Sequence, residues 1–100
     1  MTHQQIATSS TGPLQGVRVI EVGQLLAGPF AGAMLAYFGA EVIKIEPPVG
    51  GDPIRGWRVV ENGTSLWWRS LGRNKKSVTL DLKQEQGREL ARRLMDSADV

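Results

Sequence analysis

Four kinds of side chain in this 100-residue sequence carry potential chemistry. The carboxylates are Glu21, Glu41, Glu46, Asp52, Glu61, Asp81, Glu85, Glu89, Asp96 and Asp99. Acid–base or nucleophilic catalysis needs a carboxylate with a partner at a diagnostic spacing, and no pair here shows one. The cations Arg73, Lys75 and Lys76 precede an alternating, branched run at residues 77–82, and Lys83 follows it. The two ends of such a strand lie roughly 20 Å apart, so these groups cannot all grip one phosphate. They suit different parts of a long anionic ligand, or a solvated basic edge, and spacing alone favours the edge. The glycines Gly23, Gly28 and Gly32 follow an apolar run, and Glu46 ends the next one where a ribose-binding carboxylate would sit. Their spacing is not G-x-G-x-x-G, which argues against a nicotinamide or flavin site, and no G-x-x-x-x-G-K-[ST] phosphate loop occurs. Trp57, Trp67 and Trp68 could stack a planar ligand, although burial in a core or interface is the commoner use of clustered tryptophans.

Composition removes several classes of function. The sequence contains no cysteine, which excludes disulfides, thiolate catalysis and cysteine–metal sites. The single histidine, His3, has no partner at ligand spacing and reads as part of a polar tail. A net charge of +2 is too mild to argue for nucleic acid, though it suits an anionic small ligand. No run approaches the length of a membrane span, and the N-terminus lacks the basic-then-apolar order of a signal peptide. The expectation is a cytoplasmic protein without nucleic-acid or membrane partners.

The elements that must position these groups follow from the apolar pattern. Residues 1–12 are small and polar and read as a flexible leader. Residues 17–22 are apolar and β-branched, as in a buried parallel strand. Gly23, Gly28 and Pro29 then open a turn, residues 30–38 read as a helix stopped by Gly39, and residues 42–45 as a second strand. This is one βαβ unit, and in such sheets ligands sit at the carboxyl ends of the strands. Residues 46–53, with two glycines and three prolines, form a loop. Asn62-Gly63 signals a turn, and Thr64 is positioned to cap a short helix over residues 65–71. After the strand at 77–82, a helix carries Leu90, Ala91 and Leu94 as its apolar stripe, with Gly87 weakening its first turn slightly. Residues 97–100 lead into a fourth strand. The class is therefore α/β: a parallel sheet with helices on both faces, incomplete over residues 13–100. The unpaired edge reads as part of a longer protein.

Three blocks, in order, carry a resemblance to a known family: LAGPF at residues 26–30, GAEVIKIEPP through GGDPIR at 39–55, and GRNKKSVTLDLK at 72–83. From Pro13 to Val100 the sequence resembles the N-terminal part of family III CoA-transferases, whose relatives include α-methylacyl-CoA racemase. The resemblance implies a Rossmann-like large domain and an interlocked homodimer. It also implies CoA or acyl-CoA as substrate rather than a tightly bound cofactor, and transfer of CoA to a carboxylic acid through an aspartyl intermediate. That aspartate lies beyond residue 100, so no catalytic residue is assigned within the chain; a racemase, or an inactive CoA-binding module, is the alternative. Carried over residue by residue, the resemblance implies CoA contacts at Leu26 and Ala27, after the first strand, and at Leu80, Asp81, Leu82 and Lys83, after the third. The formyl-CoA transferases of the family carry histidine, glutamine and arginine where this chain has Gln24, Leu26 and Pro47. The resemblance thus implies substrates other than formyl-CoA and oxalate.

Overall fold

The computed structural model describes residues 12–100. His3 and the rest of the leader before Gly12 lie outside the described residues. Strand β1 spans Arg18–Glu21, helix α1 Ala27–Tyr37 and strand β2 Glu41–Glu46; a 3-10 turn follows at Pro53–Gly56. The hairpin β3 (Val60–Glu61) and β4 (Thr64–Ser65) leads into α2 at Leu66–Leu71, then β5 at Lys75–Thr79 and α3 at Glu85–Asp96.

β1, β2 and β5 form a parallel sheet in the order β1-β2-β5. β2 is central, and Val42 through Glu46 are all buried, as expected of a parallel strand covered on both faces. Full burial of a valine or isoleucine there contributes about 1.5–3 kcal/mol. β1 also bonds on its other edge. Val100 donates to Arg18 O at 3.2 Å and accepts from Ile20 N at 2.9 Å, on the edge opposite β2, which takes Val17 O through Glu41 N at 2.8 Å. Val100 thus lies beside β1, on the side away from β2.

Helix α1 lies on the sheet through small residues. Pro29, Gly32 and Ala36 are its buried positions, and Ala36 joins Val19, Ala40 and Val42 in the core. The larger Phe30, Met34, Tyr37 and Phe38 remain exposed. A helix that approaches this closely buries its smallest side chains, and that inverts the usual amphipathic reading.

Several boundaries differ from the sequence expectation for identifiable reasons. α1 begins at Ala27 instead of residue 30, because the missing N–H of Pro29 falls within the first turn, where it is not needed. The third strand runs Lys75–Thr79, two residues earlier than expected at its start and three at its end. Val42 pairs with Lys75 at one end of the ladder and Glu46 with Thr79 at the other. Ser65 caps α2 instead of Thr64: its Oγ accepts from Trp67 N at 3.1 Å and donates to Trp57 O at 2.7 Å. Thr64 belongs to the hairpin, whose Asn62 and Gly63 take φ of 53° and 77°, the signature of a type I′ turn. In α3, Ala91 of the expected stripe is buried and Leu94 half-buried, while Leu90 is 41% exposed and Gly87 is buried instead. Gly87 is a requirement of the packing as well as a weak point of the helix, since a Cβ there would collide with the backbone carbonyl of Asp81.

Candidate functional site

The connection from β1 to α1 is short, glycine-rich and exposed, yet it is fixed from beneath by charge. The sheet register sets Glu21 directly opposite Lys44, on the face that α1 covers. Lys44 Nζ lies 2.5 Å from Glu21 Oε2 and 2.7 Å from Asp52 Oδ2. Lys75 Nζ lies 2.6 Å from Glu21 Oε1. All four side chains are 1–3% exposed, and two carboxylates balance two ammoniums. Three of the four side chains also reach backbone. Lys44 Nζ donates to Gly23 O at 3.2 Å and Lys75 Nζ to Pro29 O at 2.8 Å. Asp52 Oδ1 accepts from Leu25 N at 3.1 Å and from Ile54 N at 2.9 Å.

The electrostatics follow from this geometry. Burial alone would raise the Asp52 carboxyl, but the Ile54 N–H, the Lys44 ammonium and the Leu25 N–H together hold it below the ordinary carboxylate range. Burial pulls the Lys75 ammonium below its ordinary value, and Glu21 opposes that shift. Leu25 has φ of 63°, a left-handed conformation that costs a leucine about 1–2 kcal/mol. Gly23 and Gly28 face one another so closely that a Cβ on either would meet the other's Cα at 3.1–3.2 Å. Gly32 allows α1 to sit on the Glu21 carboxylate, which a Cβ would displace.

At the carboxyl ends of the strands lies a cleft of about 160 Å³, lined by Val22, Gln24, Ile45, Glu46, Pro47, Pro48 and residues 80–83. Leu80, Asp81, Leu82 and Lys83 thus lie together on one wall. The early end of β5 puts them beyond the ladder, whose last bond runs from Leu80 N to Glu46 O at 3.0 Å. Asp81 Oδ1 accepts from Lys83 N at 3.0 Å and shapes that wall. Leu26 and Ala27 do not line this cleft; they stand at the N-terminal end of α1, where Phe30 N donates to Leu26 O at 2.7 Å. Gln24, from the same turn, is the residue that reaches the cleft.

The basic run divides. Lys75 sits in the edge strand β5, but its side chain is buried against Glu21 and is not available to a ligand, which corrects the phosphate reading for that residue. Lys76 lies at the surface, 2.6 Å from Glu41. Arg73 lines a small groove between α1 and α2 with Phe30, Met34 and Tyr37. Lys83 alone of the four lines the cleft. Trp57 and Trp67 pack with ring centroids 5.3 Å apart, and the Arg55 guanidinium lies 3.9 Å from the centre of the Trp68 ring. Arg55 also pairs with Glu46 at 2.8 Å. Trp67 is 41% exposed, so the tryptophans form a partly open cluster above the core. Among the described residues no group of three or more His, Asp or Glu could hold a metal ion, and no helix is long and apolar enough to cross a membrane.

Sequence reasoning missed the buried tetrad. One signal was present: Lys44 interrupts an otherwise apolar central strand, and a buried ammonium requires a counter-charge.

Comparison with known proteins fits this geometry. The sequence profile of CoA-transferase family III matches residues 14–100. The chain is 55% identical over 89 residues to a succinyl-CoA–D-citramalate CoA-transferase of Chloroflexus aurantiacus, covering 88% of this chain and 22% of that protein. It is 48% identical over 101 residues to the alpha subunit of a succinyl-CoA–L-malate CoA-transferase of Chloroflexus aurantiacus, covering 95% and 24%. A crystal structure of a CAIB/BAIF family protein from Brucella suis superposes with a TM-score of 0.79 at 41% identity, over 88% of this chain and 24% of that one. The chain therefore spans about a quarter or less of the length of the relatives it matches.

Proposed function

This chain belongs to CoA-transferase family III, and on that premise we propose that it builds the CoA-holding part of an enzyme that moves CoA from succinyl-CoA to a carboxylic acid. The observation that supports this reading most is the likeness to two transferases named for succinyl-CoA as donor. The position of the cleft agrees with it, since strand carboxyl ends are where α/β sheets hold nucleotides. In this reading the backbone of Leu80, Asp81 and Leu82 meets the adenine edge, and the Lys83 ammonium pairs with a phosphate. Leu26 and Ala27, at the start of α1, face the acyl end.

The chemistry is an exchange of carboxylates on one thioester. A carboxylate nucleophile attacks the acyl-CoA carbonyl, the CoA thiolate leaves, and a mixed anhydride forms. The thiolate then attacks the enzyme's carbonyl and releases the donor acid, leaving an enzyme thioester. The acceptor acid takes CoA by the same two steps in reverse. The nucleophile is an aspartate outside these 100 residues, and the whole protein acts as an interlocked dimer. A thioester is broken and a thioester is made, so no external energy source enters.

The test is to incubate the complete protein with succinyl-CoA and either citramalate or malate and to follow the thioesters by chromatography. Acceptor-CoA and succinate should appear in equal amounts. Net hydrolysis, or exchange of the α-proton without transfer, would overturn the reading. Lys83→Ala should weaken CoA binding about tenfold by calorimetry; unchanged affinity removes Lys83 from the phosphate site.

A further inference from the structure

The turn between β1 and α1 is restrained more heavily than its exposure requires. Val22 and Leu26 are 39% and 41% exposed, and no regular structure spans residues 22–26. Yet Leu25 is held in the left-handed region, and three backbone positions are tied to buried charges: Gly23 O by Lys44, Leu25 N by Asp52 and Pro29 O by Lys75. The first two ties bracket Gln24, which lines the cleft together with Val22. The anchoring groups form one ion-paired chain through Glu21, so the turn cannot shift at one tie without straining the others. A network that served stability alone would need no bond to an exposed turn. Backbone strain maintained by its surroundings is a mark of sites whose geometry matters.

We propose that Asp52 is a positioning residue, backed by Lys44, that fixes the path of residues 23–29 and so presents Gln24 to the cleft beside Leu80 and Lys83. The identity of the occupant rests on the CoA-transferase reading above; the positioning itself does not. Asp52 acts through the acceptor oxygen it offers Leu25, so the operative property is a hydrogen-bond acceptor at that point.

The experiment uses the complete protein, its Asp52→Ala and Asp52→Asn variants, and amide hydrogen exchange. In the unmutated protein the Leu25 amide should exchange at least about a hundredfold more slowly than an unprotected amide; exchange at the unprotected rate overturns the proposal whether or not any variant folds. Asp52→Ala should release that protection and, by freeing Leu26 and Ala27 at the acyl end, lower kcat about a hundredfold, the scale of an ångström's misplacement at a reacting site. CoA affinity, set on the other wall, should stay within about twofold. Asp52→Asn keeps an acceptor and should restore both protection and most of kcat. A folded Asp52→Ala enzyme with unchanged kcat, or a loss that asparagine does not rescue, would also overturn the proposal. If the unmutated protein transfers no CoA, the functional reading fails, while the exchange measurements still decide the positioning.

Discussion

Two clusters of opposite charges in this molecule lie at nearly the same distances and do different work. Beneath the β1–α1 turn, Lys44 and Lys75 meet Glu21 and Asp52 at 2.5–2.7 Å. Along α3, Glu85 meets Arg88 and Arg92 at 2.7–2.8 Å. The first set is 1–3% exposed and the second 44–70%. Distance therefore does not rank them; the surrounding medium does. Water screens the α3 ladder and solvates each partner when the pair opens. The buried tetrad has no such alternative, so each member depends on the others.

The largest expected effect comes from taking the central cation out of the buried set. Lys44→Met leaves Glu21 and Asp52 facing each other without their shared counter-charge and should cost about 3–5 kcal/mol in denaturant unfolding. A cost below about 1 kcal/mol would erase the contrast between the clusters. Next, Gly32→Ala drives a methyl group into the Glu21 carboxylate and should cost roughly 1–3 kcal/mol; a neutral result would show that the carboxylate can yield. The third effect depends on pH. The folded-state pKa of Asp52 is depressed, so its contribution is complete above the ordinary carboxylate pKa of about 3.9 and is lost as pH falls through the lower folded value. Asp52→Asn should flatten the acid limb of the stability curve by at most about 1.4 kcal/mol per pH unit. The smallest effect belongs to the exposed ladder. Arg88 and Arg92 hold the Glu85 carboxyl below its ordinary range, yet Glu85→Gln should leave the melting temperature unchanged within measurement error in moderate salt. A clear drop would mean the ladder is less screened than its exposure implies.

The sheet was legible because its strands are apolar and branched and its breaks are glycine and proline. The pattern of residues 17–45 carries the βαβ unit with little ambiguity. Element ends were less legible, since they depend on long-range partners. Lys75 lies within a strand because its backbone pairs with Val42 of β2, far earlier in the sequence, and no local pattern encodes that pairing. In α3 only Leu90 departs from the expected stripe, because the close approach of Gly87 to the Asp81 carbonyl helps decide which face of the helix turns inward. At the site, the wall at residues 80–83 was named through resemblance, while the tetrad that holds the opposite turn was not. Charges spread over positions 21, 44, 52 and 75 look like ordinary surface residues until the fold gathers them.

The hydrogen bonding of β1 has one more consequence. Glu41 takes the carbonyl of Val17 on one side, while Val100 takes the amide and carbonyl groups of Ile20 and Arg18 on the other. The strand that delivers residues 22–26 thus makes backbone hydrogen bonds on both sides, to β2 on one and to Val100 on the other. The turn at residues 22–26 leaves a strand held on both flanks. The floor beneath it is built from segments far apart in sequence, which is what allows so small a loop to keep its shape.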